Sequence, residues 1–157
     1  MKKLNVIRIV FMTTTAAALI SCGGERRQLK TPLPASRTDA IISLASLAPS
    51  GHNTQPWTVK VTSDGNWIIG WDRRRSLPAV DPENRELFLS LGAFCEGVRI
   101  AAASHGLHAE VRVTAQSCFD DEIAIISFTH AAADSSRLDA LTHRRTVRKG
   151  LSAKPFS

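Results

Sequence analysis

The 157-residue chain predicts an α+β fold, a mixed or antiparallel sheet flanked by helices. Two observations carry that prediction. Apolar residues recur at helical spacing ahead of Pro49 and with a period of two from Trp57 onward. The segments then follow in the order helix, hairpin, helix, two strands, helix.

Ser36 opens the first helix. Its hydroxyl suits the N-cap, and Asp39 three positions on makes a capping-box-like pair. Ile41, Leu44, Ala45 and Ala48 put one apolar face on this helix, and Pro49 ends it. Trp57, Val59 and Val61 alternate with Thr58, Lys60 and Thr62; Asp64-Gly65 is a turn pair; residues 67–71 complete a hairpin. Residues 73–80 are a basic, irregular connection. Asp81-Pro82 starts the longest helix, with Asp as N-cap and Pro at the first helical position. It runs to about Ser104 and stops at Gly106. Leu87, Leu91, Phe94, Val98 and Ala101 form its buried stripe, widened by Phe88, Cys95 and Ala102. Gly92, Ala93, Gly97 and residues 101–103 leave room for another helix to approach. Strands are expected at 110–115 and 122–129, and a last helix from Asp134 or Ser135 to about Arg145.

Residues 1–21 read as an export signal. Lys2, Lys3 and Arg8 supply positive charge ahead of a 12-residue apolar core ending at Ile20. That core is too short to span a bilayer, which needs about 20 apolar residues. Leu19-Ile20-Ser21-Cys22 matches a bacterial lipobox, so Cys22 is expected to carry lipid and anchor the protein to a membrane. Gly23 after the cysteine favours the outer membrane, facing the periplasm. Residues 22–35 read as a tether, 36–133 as one folded unit, and 134–157 as the start of another. The charge of +6 falls once the signal is set aside: from Cys22 onward 17 Lys and Arg face 14 Asp and Glu, a balance of +3. That is too mild for a nucleic-acid groove, and Arg26-Arg27 and Arg73-Arg74-Arg75 read as solvated surface. No Cys/His spacing fits a metal site, and His52, His105 and His108 have no neighbour placed to make a nucleophile–base pair. Cys95 reads as buried packing.

Two segments could carry chemistry. Ala48-Pro49-Ser50-Gly51-His52-Asn53-Thr54-Gln55-Pro56-Trp57 packs small and amide residues between a helix and a strand. Such a loop can bring uncharged donors and acceptors to a flat polar ring, or simply bond its own backbone. Arg144-Arg145-Thr146-Val147-Arg148 gathers three guanidinium forks and a hydroxyl, enough to hold one phosphate or to complement a helix C-terminus.

The first segment resembles the A-P-S-x-x-N-x-Q-P-W signature of FMN-dependent nitroreductases, and the second resembles the R-R-S-x-R motif of that family, with Thr146 in place of serine. Residues 81–86, leading into Ser90-Leu91-Gly92-Ala93, extend the likeness. In ordinary members the arginine motif precedes the loop; here it follows a whole α+β unit, as in the internally duplicated branch of the family. The resemblance implies a nitroreductase-like fold that is incomplete within this chain. It implies an FMN site built from Pro49, Ser50, Gly51, Asn53 and Gln55 together with Arg144, Arg145, Thr146 and Arg148, and no catalytic acid or base is named. A homodimer, or a complementing second half, would complete that site. The implied activity is NAD(P)H-dependent reduction of nitroaromatic or quinone-type acceptors. A flavin-binding lipoprotein without turnover, or a structural envelope lipoprotein, is the alternative.

Overall fold

A computed structural model describes residues 28–147. Cys22, Arg148 and the export signal lie outside the described residues.

The chain forms α1 (Ala35–Ala45), β1 (Trp57–Val61), β2 (Trp67–Trp71), α2 (Arg85–Ser104), β3 (Leu107–Val113), β4 (Glu122–His130) and α3 (Leu138–His143). Short 3-10 turns occupy Gly51–Asn53 and Arg73–Arg75. The four strands make one antiparallel sheet in the order β1-β2-β4-β3. The hairpin follows the alternation read in the sequence: Trp57, Val59 and Val61 are buried, while Thr58 and Lys60 are exposed. Gly65 turns it at a φ of 85°, pressed against the Thr31 backbone where a side chain would collide.

Burial of apolar surface at about 25 cal/mol per Å² favours covering the Trp-rich sheet face with helices. Trp57 stacks on Phe94 of α2 at 4.8 Å between ring centroids, and Trp67 meets Phe128 edge-on at 4.9 Å. Leu87, Leu91, Phe94, Val98, Ala101 and Ala102 form the buried stripe of α2, as their spacing predicts. By length and composition α2 could cross a membrane, but half of that window is buried, which makes it the core helix of this fold. α1 packs on α2 where Gly97 allows its backbone close to Ala45. Gly106, at a φ of 73°, ends α2 and leads directly into β3.

Helix starts differ from expectation for local reasons; in addition, α1 ends at Ala45, ahead of Pro49, and β3 spans Leu107–Val113 rather than 110–115. α1 begins at Ala35, because the Pro34 carbonyl accepts the N–H groups of Arg37 and Thr38; Ser36 sits inside the helix and caps nothing. α2 begins at Arg85, because Asn84 takes a left-handed conformation at a φ of 55°. Asp81 still caps α2 from outside: its carboxylate accepts the Leu87 N–H at 2.9 Å. α3 is shorter than expected, since the Asp134 side chain accepts the Ser136 N–H in a turn and the helix starts only at Leu138. Of the stretch read as a tether, Gln28 bridges to Thr129, Leu29 donates its N–H to the Phe128 carbonyl, and Leu33 is buried.

Candidate functional site

The loop from Ala48 to Pro56 is built to hold a conformation that its residues would not choose alone. His52, Asn53 and Gln55 all have left-handed backbone, with φ of 50°, 57° and 49°. For residues other than glycine this costs on the order of 1–2 kcal/mol each and persists only where neighbours fix it. Here they do. Ser50 Oγ accepts the Gln55 N–H at 3.0 Å, and the Ser50 and Gly51 carbonyls accept the N–H groups of Asn53 and Thr54. Gln55 Nε2 donates to the Ser46 carbonyl at 3.3 Å, which ties the loop to the end of α1. The Gly51 N–H donates to Ser90 Oγ on α2 at 3.1 Å, and a methyl group on Gly51 would lie 3.0 Å from Glu86 Oε2. Arg75, read in the sequence as solvated surface, donates from Nη1 to the Thr54 carbonyl at 2.7 Å. No spacing rule points to it, because its partners lie 21 residues back.

The predicted loop residues therefore divide. Ser50 and Gln55 spend their side chains on the loop itself. Pro49 and Asn53 are exposed, and the Asn53 amide makes no hydrogen bond among the described residues. Arg144 reaches the same place from the far end of the chain. Its Nε donates to the Leu47 carbonyl at 3.0 Å across 97 residues of sequence, and its Nη1 donates to Thr146 Oγ1 at 3.2 Å. A cation at the carbonyl end of α1 also complements the helix dipole. Arg145 and Thr146 are exposed, and Arg145 has no ion-pair partner among the described residues. The structure thus joins the two segments that the sequence separates, two residues from Pro49.

Electrostatic shifts lie away from this point. The Arg74 guanidinium hydrogen-bonded to Asp72 holds that carboxyl below its ordinary value. Burial pushes the Cys95 thiol up to about 11, so it is a packed thiol with no thiolate character near neutrality. Cys95 and Cys118 are both free. Open concavities lie along α2: an apolar surface at Arg85, Phe88, Leu89, Gly92 and Ala93, and a groove of about 270 Å³ between α2 and the β3–β4 ends. Leu89 is 75% exposed and Val113 70%.

No protein-family model matches the chain. It is 34% identical over 125 residues to a Mycobacterium tuberculosis protein named "Putative NAD(P)H nitroreductase acg", covering 75% of this chain and 38% of that one. It is 31% identical over 114 residues to an uncharacterised protein of the same organism, covering 68% and 33%. The chain thus spans about a third of the length of these relatives. Among solved structures, a nitroreductase-like protein from Streptococcus mutans superposes with a TM-score of 0.51 at 17% identity, covering 83% of this chain and 92% of that one. The segment thus has a nitroreductase-like α+β fold, and it is similar in sequence to part of Mycobacterium tuberculosis proteins named "Putative NAD(P)H nitroreductase".

Proposed function

We propose that this chain supplies one half of a duplicated, FMN-dependent NAD(P)H oxidoreductase, with residues 36–133 as the first nitroreductase-like unit and 134–157 opening the second. The observation that carries the reading is the Arg144–Leu47 contact, which sets the arginine segment beside the loop. The donor set suits the cofactor. An isoalloxazine ring needs uncharged donors and acceptors at its pyrimidine edge, and the Asn53 amide is uncommitted among the described residues. A phosphate monoester needs charge-assisted donors, and Arg144, Arg145 and Thr146 offer them with Arg148 following in sequence. Ser50, Gly51 and Gln55 keep the loop in shape beneath them, and Pro49 stands in the loop four residues past the end of α1.

Bound FMN would take a hydride from NAD(P)H and deliver electrons to a nitroaromatic or quinone-type acceptor. The name of the Mycobacterium tuberculosis relative, an NAD(P)H nitroreductase, supports the nicotinamide. The exposed apolar side of α2 supports completion by a second half, in the same chain architecture or in another copy, because Leu89 and the open edge of half-buried Phe88 offer area that solvent does not reward. The test is FMN titration of the full chain beside Arg144→Ala. We expect the substitution to weaken binding about tenfold or more, the usual effect of losing a charged hydrogen bond. Equal affinity in both would remove the phosphate assignment.

The same proposal anchors the protein through lipid on Cys22 at the periplasmic face of the outer membrane. Gln28, the first described residue, is already paired to the sheet, so at most about 20 Å of extended chain separates it from the anchor. Palmitate labelling in the native host should be present in the parent and lost in Cys22→Ser; labelling that survives the substitution rejects the anchor.

A further inference from the structure

We infer that Arg75 is a positioning residue for the loop of residues 49–55, and through it for the flavin ring; the inference rests on the reading proposed above. The three arginines after β2 part company in the fold. Arg73 pairs with Asp121 and lies 5.3 Å from the Trp71 ring centroid. Arg74 folds back on Asp72 and stays exposed. Arg75 turns under the loop. Its Nη1 donates to the Thr54 carbonyl at 2.7 Å and reaches the Gln55 carbonyl at 3.5 Å, while its Nε faces Asp72 Oδ2 at 3.9 Å. The Asp72 N–H in turn donates to the Pro56 carbonyl at 2.9 Å.

One guanidinium is therefore held by a carboxylate at the end of β2 and grips two successive carbonyls of the loop. That grip falls on Thr54, which follows Asn53, and more loosely on Gln55, one of the left-handed residues. From the other side Ser90 of α2 accepts the Gly51 N–H. The backbone that presents Asn53 is thus clamped from two elements, and Arg75 supplies the clamp nearer to Asn53 in sequence. One nitrogen, Nη1, serves both carbonyls while Nε faces Asp72, a division between two nitrogens that a lysine ammonium cannot reproduce. Arg75 touches no ligand in this scheme; it fixes where the Asn53 amide stands.

The experiment compares the full chain with Arg75→Met and Arg75→Lys. FMN titration is followed by visible absorbance and fluorescence; thermal unfolding and amide hydrogen exchange are measured without FMN. Arg75→Met is expected to leave the unfolding midpoint within a few degrees, to speed exchange at residues 53–55, and to raise the FMN dissociation constant about tenfold with a changed flavin band shape. Arg75→Lys is expected to recover part of the affinity through one carbonyl. Equal affinity and band shape in the parent and Arg75→Met would overturn the proposal. So would a global loss of stability that Arg75→Lys does not relieve, since that marks a purely structural role. Absence of binding by the parent chain, both alone and when supplied with its second half, would reject the flavin reading and the ligand half of this proposal with it; unchanged exchange in Arg75→Met would reject the loop half separately.

Discussion

Asn53 and Gln55 carry the same amide and serve different ends. Gln55 turns back to the Ser46 carbonyl and closes the loop on α1, whereas the Asn53 side chain is exposed and uncommitted among the described residues. Composition could not separate them, because the difference arises from left-handed backbone at each position and from the Ser50 hydroxyl that accepts the Gln55 N–H. Cys95 is the opposite case, a reactive atom made inert by its surroundings. Its thiol is pushed from 9.0 to about 11 by burial alone. Iodoacetamide at pH 8 should therefore modify Cys118, which is partly exposed, and leave Cys95 intact in the native chain. The same shift has a sign for stability. Between about pH 9 and pH 11 the unfolded chain gives up a proton that the folded chain keeps. This contribution is complete below that window and is lost as pH rises through it. Rapid alkylation of Cys95 at pH 8 would show that the core around it is open.

Among the elements, α1 and α2 depend on a single small residue. A Cβ at Gly97 would stand 3.0 Å from Ala45 Cα and 3.1 Å from the Ala45 carbonyl oxygen, and both are backbone atoms that cannot rotate away. Gly97→Ala should cost about 1–3 kcal/mol by overpacking, read as a lower thermal midpoint; an unchanged midpoint would mean that the helices do not meet there. The stripe on α2, the small residues that admit α1, the hairpin alternation and the Gly106 stop were all legible in the sequence, since each follows from a local period or a required φ. Helix starts were less so. Ser36 and Asp81 carry the right capping side chains, yet the Pro34 carbonyl takes over at α1, and Asp81 caps α2 across a left-handed Asn84. At the site, the loop and the arginine segment could be recognised separately. The Leu47–Arg144 contact and the Arg75 clamp could not, because neither leaves a periodic trace between residues 97 and 21 apart.

For the whole molecule, one sheet face is covered and the two candidate segments meet at the end of α1, while the outer side of α2 stays apolar and open. The chain spans about a third of its relatives' length, and the proposed flavin reading assigns that open face to a second half. The Arg144 contact sets the two segments side by side, so the flavin reading requires the phosphate and the ring edge to be held together. Equilibrium titration of the full chain with FMN tests this most directly, with flavin fluorescence and thermal unfolding followed on the same samples. Saturable binding that raises the unfolding midpoint, and that weakens in Arg144→Ala, is the expected result. A flat titration with an unmoved midpoint, in the chain alone and when supplied with its second half, would contradict the flavin site.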